Sequence, residues 1–163
     1  MSLVRRATSP ADRQASWRLR ELVFIGEQKI SETVERDGLD ELAWHLVAWD
    51  GEDAVGTARI LGLDADHEPV RLEQAIVAKI GRMAVRADKR RLGIGRQLLD
   101  AALELARRHG IARAELSAQE YVVPFYERAG FRAEGERYEE AGIPHRRMSC
   151  SLLPSSDGAR GHG

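Results

Sequence analysis

Between Ile80 and Leu99 the sequence reads IGRMAVRADKRRLGIGRQLL, and this stretch constrains the fold more than any other. Ile80, Met83, Ala84 and Val85 form an apolar, β-prone run. A basic turn with two glycines follows, Arg90-Arg91-Leu92-Gly93-Ile94-Gly95. Ile94, Leu98, Leu99, Ala102, Leu103 and Ala106 then recur at helical spacing. A strand feeding a glycine turn feeding a helix aims backbone N–H groups and the positive end of a helix dipole at one spot. Such a spot suits a phosphate, and Gly93 and Gly95 let a ligand approach the backbone without meeting a Cβ. The spacing is not that of a P-loop, which needs Gly-x-x-x-x-Gly-Lys-Ser/Thr. Leu98 also stands where the third glycine of a dinucleotide fingerprint would be.

The chain of 163 residues suits one domain with one core, expected over residues 1–153, and the Ser/Gly-rich segment 154–163 reads as a disordered tail. A net charge of −1 argues against a nucleic-acid protein held by bulk electrostatics. Cys150 is the only cysteine, which excludes an intrachain disulfide framework and fits a reducing cytoplasm. No apolar run approaches the ~18 residues of a membrane span, and the first ten residues lack the apolar core of a signal peptide. A cytoplasmic location is therefore expected. His67, His109 and His162 have no metal-ligand spacing, so no metal is predicted.

Taken in order, residues 3–7 read as a first strand. Ser9-Pro10 then opens a helix whose apolar side is read as Trp17, Leu19, Leu22 and Val23. Residues 32–41 are acidic and read as a loop. Residues 44–49 and 54–63 flank Asp50-Gly51 and predict a hairpin. A polar loop, the strand 76–86, the glycine turn and the long helix follow, and that helix ends at His109-Gly110. A strand at 112–118, a short helix at 122–129 and two strands at 131–138 and 145–152 complete a mixed sheet with helices on both faces.

Arg90-x-x-Gly93-x-Gly95 resembles the acetyl-CoA signature of the GNAT superfamily of N-acetyltransferases, Arg/Gln-x-x-Gly-x-Gly/Ala. Val122-Val123-Pro124-Phe125-Tyr126-Glu127-Arg128-Ala129-Gly130-Phe131 resembles its second signature. Gly56–Ile60 and Gly81–Val85 look like its third and fourth strands. The likeness spans residues 3–152. Val23–Gln28 with Asp37, Asp40 and His45, then Ser117-Ala118-Gln119 and Glu140–His145, is similar to the ElaA/YjcF-like branch.

The resemblance implies an α/β fold: a mixed, mostly antiparallel sheet of six to seven strands, with the family's fourth and fifth strands splayed to hold CoA. It implies acetyl-CoA as cosubstrate and direct transfer to a primary amine of a small molecule or peptide, with room for a homodimer. The alternative is a non-catalytic acyl-CoA-binding regulatory module. Met83, Ala84 and Val85 would line the pantetheine arm. Arg90, Arg91, Leu92, Gly93, Ile94, Gly95 and Arg96 would meet the pyrophosphate, with Gln119 and Tyr126 beside them.

Tyr126 would protonate or hydrogen-bond the leaving thiolate. With ordinary side-chain pKa values, full proton transfer would be uphill by only ~2 kcal/mol. A lysine-like amine is neutral at pH 7 roughly once in 10³ molecules, so a base or desolvation must help. Glu27 or His145 is favoured as base, with Asp40 and His45 also candidates. His45, Arg59 and Asp40 would meet the acceptor. Arg59 and Arg82 could instead form ion pairs with Asp37, Asp40 or Glu140. The run Arg86–Arg91 is either a solvated face or a grip on the CoA 3′-phosphate.

Overall fold

The computed structural model describes residues 3–153, so the tail predicted at 154–163 lies outside the described residues. Strand β1 (Leu3–Arg6) leads into α1 (Pro10–Arg20), which Ser9 caps by accepting the Asp12 N–H at 3.1 Å. The helix continues without a break into a seven-residue π-helix, Glu21–Glu27. Ser31 then caps a short α2 (Glu32–Glu35), where the acidic stretch reads as loop. The hairpin β2 (Trp44–Asp50) and β3 (Asp53–Leu63) follows, then the two-residue β4 (Pro69–Val70) and β5 (Val77–Val85). After the glycine turn come α3 (Ile94–Arg108), β6 (Arg113–Gln119), α4 (Val123–Arg128), β7 (Arg132–Glu140) and β8 (Ile143–Ser151).

The strands form one sheet in the order β1-β2-β3-β5-β6-β8-β7, with β4 added beside β3. That makes eight strands rather than six or seven, the extra one being the short β4. Every pair is antiparallel except β5–β6. α3 packs on one face through Ile94, Leu98, Leu99, Ala102, Leu103 and Ala106, the six residues its periodicity predicts, all buried. Gly56 of β3 lies directly beneath it. A Cβ there would sit 2.9 Å from Leu98 Cδ1 and 3.0 Å from Ile94 Cγ2, so glycine sets how closely helix and sheet approach. The next residue, Thr57, points to the opposite face, where Ser16 of α1 donates a hydrogen bond to its hydroxyl at 2.6 Å. Thr57 passes its own proton to the Leu46 carbonyl at 2.7 Å. The two main helices thus cover opposite faces.

α1 turns a different side to the sheet from the one its sequence suggests. Trp17 and Leu22 are 41% and 49% exposed, while Ser16, Leu19, Arg20 and Val23 are buried. These four are spaced i, i+3, i+4, i+7, so the helical period is right and the stripe is shifted by one position.

Two irregularities in β5 create the opening that the resemblance anticipates. Thr57 pairs with Ala84, but Arg59 pairs with Gly81, so Ala58 alone faces Arg82 and Met83. This is a β-bulge, and Arg82 takes a left-handed φ of +48° within it. The parallel β5–β6 pairing meanwhile ends at Ile80↔Leu116. Beyond that point β5 continues to Val85 against β3 alone, and β6 continues to Gln119 against β8 alone. The two strands part, and the edge Gly81–Val85 has no strand partner on its β6 side.

Candidate active site

The glycine turn sits at the mouth of this gap. Gly93 is the N-cap of α3, with φ +82° and no capping side chain. Among the described residues, the N–H groups of Leu92, Gly93, Ile94, Gly95 and Arg96 donate to no backbone or side-chain acceptor. The first engaged amide is that of Gln97, to the Gly93 carbonyl at 3.0 Å. A helix start with neither cap nor partner is an anion socket in waiting. The two glycines serve it differently. Gly93 is needed for its left-handed backbone. Gly95 is not needed by the protein's own packing, because a Cβ there would meet only Phe125 Cζ at 3.7 Å and Val85 Cγ2 at 4.0 Å, both ordinary contacts. The space above Gly95 is left open for something other than the chain, and an acyl-CoA diphosphate fits both the donor set and the cradle. Ile94 contributes only its amide, since its side chain is core.

The arginines of the turn divide between partners. Arg90 donates Nε to the Val85 carbonyl at 2.9 Å and Nη2 to Glu27 Oε2 at 2.8 Å. It ties the end of the π-helix to the turn. Arg96 pairs with Asp100 at 3.0 Å, Arg86 with Asp88 at 2.8 Å and Lys89 with Asp50 at 3.3 Å. Among the described residues Arg91, at φ +68°, has no ion-pair partner. It is the cation of this run left available for an anion.

Tyr126 lies on α4, packed edge-on against Phe125 (centroids 5.0 Å apart) and Phe131 (6.0 Å). Burial, with a smaller contribution from Tyr121, pushes its phenol up to about 12. This corrects the ~2 kcal/mol expected from ordinary values: against a free thiol, full transfer is uphill by roughly 5 kcal/mol. Tyr126 is therefore suited to donate a hydrogen bond to a thiolate while keeping its proton.

On the sheet face away from α3, β6 and β8 bring the other candidates together. Gln119 Nε2 donates to Gln28 Oε1 at 3.0 Å, and on its other side Gln119 registers with His145. The His145 ring is buried and its Nδ1 donates to the Ile143 carbonyl at 2.7 Å. Because a carbonyl only accepts, this fixes the proton on Nδ1 and directs Nε2 toward Glu140 Oε2, 3.6 Å away. Glu27 is 34% exposed and held by Arg90.

His45, Arg59 and Asp40 are also neighbours, but inside a closed network. Arg59 grips Asp37 with both nitrogens at 2.8 Å and reaches Asp40 at 3.2 Å. Arg20 holds Glu35 and Asp40, each at 2.9 Å, and is itself only 1% exposed. From the bulge, Arg82 reaches Glu35 Oε2 at 2.8 Å and the Glu35 carbonyl at 3.0 Å. Burial acts to raise the Asp37 and Asp40 carboxyls, but hydrogen bonds and charge from Arg59 and Arg20 more than offset it and hold both below the ordinary range. His45 donates Nε2–H to the Asp40 carbonyl at 3.0 Å, and its burial pushes its pKa down, so it stays neutral. Of the two readings of Arg59 and Arg82, ion pairing is the one the structure displays. The partners are Glu35, Asp37 and Asp40, not Glu140.

Sequence reading missed Arg20 and Glu35. Arg20 had a signal, since it shares the i, i+3, i+4, i+7 stripe with Ser16, Leu19 and Val23. Glu35 had none, because nothing local marks one acidic residue among several as buried. Among the described residues no group of His, Cys, Asp and Glu is placed to hold a metal, and no helix is long and apolar enough to cross a membrane.

Comparison with known proteins agrees with this geometry. Residues 22–152 match the model of the acetyltransferase (GNAT) domain. Protein ElaA of Escherichia coli is 35% identical over 137 residues, covering 83% of this chain and 84% of ElaA. The uncharacterized N-acetyltransferase YjcF of Bacillus subtilis is 33% identical over 131 residues, covering 80% of this chain and 86% of YjcF. The crystal structure of E. coli ElaA superposes with a TM-score of 0.78 at 31% identity over 92% of this chain and 99% of that one. An acyl-CoA N-acyltransferase from Pseudomonas aeruginosa gives 0.77 at 32% identity over 92% and 99%. The chain belongs to the GNAT acyltransferase family, alongside ElaA and YjcF.

Proposed function

We propose that this chain moves an acetyl group from acetyl-CoA to a primary amine by direct attack. The observation that carries the reading is the juxtaposition of five unpartnered amides at Leu92–Arg96 with the parted edge Gly81–Val85. The amides and Arg91 would hold the diphosphate. The free edge of β5 would take the pantetheine arm as a sheet takes an added strand. A backbone N–H in the bulge, at Met83 or Ala84, would face the thioester oxygen as charge gathers there; losing such a donor typically costs about 3–4 kcal/mol.

In the reaction the amine lone pair forms the N–C bond, and the C–S bond breaks with its electron pair left on sulfur. The phenol of Tyr126 hydrogen-bonds that thiolate, and the surplus proton of the amine leaves to a base. The base then returns that proton to the thiolate, directly or through solvent, so that net, amine and thioester become amide and free thiol. The test is thiol release from acetyl-CoA over polyamines, amino acids, aminoglycosides and peptide N-termini, with Gly95→Glu as the control that cannot bind. Thiol release that depends on the amine and disappears in the control supports the reading. Calorimetric CoA binding without thiol release for any amine would leave the binding-module alternative in its place.

A further inference from the structure

We infer that Arg82 is a positioning residue for the transfer step: its side chain, anchored on the charge network before β2, holds the left-handed bulge that aims the Met83 amide into the gap between β5 and β6. The inference rests on the transferase reading and adds to it the residue that sets the donor facing the thioester oxygen.

The alternation of the β3–β5 ladder singles out Met83. Past the bulge, the Arg86 N–H donates to the Val55 carbonyl at 2.9 Å. Ala84, paired with Thr57, holds the equivalent place one step earlier and turns its N–H to β3. Met83, the residue before it, therefore turns its N–H to the side that β6 has left.

The sheet does not fix that amide by itself. No strand pairs with it on the β6 side, and on the β3 side the ladder skips from Ala84 to Gly81. Arg82 sits at the skip with φ +48°. A left-handed backbone is costly for any residue with a Cβ and cheap for glycine. Gly81 stands next door and is not left-handed, so the strained position falls on the arginine instead.

What holds it there is the side chain, which is only 24% exposed. Its Nε lies 2.8 Å from Glu35 Oε2. Its Nη2 donates to Asp37 Oδ2 at 3.2 Å and to the Val34 and Glu35 carbonyls at 3.2 and 3.0 Å. Those two carbonyls end α2, so one planar fork meets two carboxylates and a helix terminus. The anchors are themselves held, Glu35 by Arg20 at 2.9 Å and Asp37 by Arg59 at 2.8 Å. Each carboxylate thus keeps a cation when Arg82 is removed, while the bulge loses its tie. This redundancy separates holding the fold from aiming the amide.

The test has two readouts. The first uses acetyl-CoA and CoA with no amine present. In the ¹⁵N-labelled wild type the Met83 amide proton should lie further downfield with acetyl-CoA than with CoA, because the thioester oxygen accepts its hydrogen bond. Arg82→Ala and Arg82→Gly should bind CoA calorimetrically like the wild type and lose that difference. The second readout is turnover of the best amine of the thiol-release screen. Both variants should lower kcat about 10²-fold, with the KM for acetyl-CoA near the wild-type value. Glycine takes the left-handed backbone more readily than arginine but has no anchor, so a loss in Arg82→Gly assigns the effect to the side chain. Arg82→Lys keeps a cation beside Glu35 and Asp37 without the fork, and should lose about tenfold in kcat at nearly unchanged Tm; it carries the test alone if the other two fail to fold. Wild-type kcat in Arg82→Gly or Arg82→Lys overturns the positioning role and leaves the transferase reading standing. So does a Met83 difference that survives in Arg82→Ala or is missing from an active wild type, or a KM for acetyl-CoA that rises as far as kcat falls. A wild type that binds CoA and acetylates no amine overturns both.

Discussion

The glycine turn and the loop before β2 are both rich in charge, yet they treat it in opposite ways. Around Arg20, Glu35, Asp37, Asp40, Arg59 and Arg82, three cations and three carboxylates satisfy one another. At Leu92–Arg96, five adjacent donors satisfy nothing in the protein. The closed network is how the chain holds itself: it fastens α1 and α2 to β3 and to the bulge of β5. The open turn is where the proposed acyl-CoA diphosphate would sit. Candidate residues read from sequence fell on both sides of this divide. Their chemistry alone does not sort them, because an arginine in a strand looks the same whether it grips a ligand or an aspartate.

Four experiments sharpen or break this contrast. The largest effect belongs to the closed side. Arg20→Ala leaves Glu35 to Arg82 and Asp40 to Arg59 beside an empty space, and removing one partner of a buried pair costs up to about 3–5 kcal/mol, read as a fall in Tm. A variant as stable as the wild type would mean that the network is not holding the fold. Next is the open side. Gly95→Glu should leave Tm nearly unchanged, because a Cβ there meets only ordinary contacts, and should weaken CoA binding at least 10²-fold by setting a carboxylate against a diphosphate. Binding at wild-type strength in that variant would remove the turn from the ligand site.

Third, Tyr126→Phe should lower kcat roughly tenfold with the KM for acetyl-CoA retained, the loss of one hydrogen bond to a charged atom. Since the phenol is pushed up to about 12, kcat should show no decline from tyrosine ionisation as pH rises toward 10. The smallest effect is at the surface. The Arg90–Glu27 bridge is 43% and 34% exposed, and Glu27→Gln should change stability by about 1 kcal/mol or less. The network also has a pH signature. Asp37 and Asp40 are held below their ordinary values, so the stability they contribute is complete above about pH 4, the unfolded carboxylate value. It is lost only as pH falls below that range toward their folded values. A stability loss between pH 7 and 5 must come from other groups.

What the sequence disclosed follows from how local its signals are. The six core positions of α3, the glycine turn and the strand before it are written within a few residues of one another, and all stand where periodicity and turn chemistry put them. The parting of β5 from β6 came from resemblance, since parallel strands pair across more than thirty residues of chain. Arg20 went unread because a buried guanidinium is tolerable only beside carboxylates fifteen and twenty residues away, and no local pattern announces them. The π-helix at Glu21–Glu27 and the bulge at Arg82 are likewise set by what surrounds them. Arg82 holds a left-handed backbone while its side chain is anchored on Glu35 and Asp37. The Glu140–His145 pairing has the same origin, because it needs the β7–β8 hairpin to fold before the two side chains meet.

The central claim is that the amides of Leu92–Arg96 are a socket for a diphosphate. The most direct measurement is the amide proton spectrum of the ¹⁵N-labelled chain titrated with CoA and, separately, with pantetheine, which lacks the diphosphate. The account predicts large downfield shifts at Gly93, Ile94, Gly95 and neighbouring amides with CoA, absent with pantetheine. CoA that binds while those resonances stay in place, or that fails to bind at millimolar concentration, would contradict it.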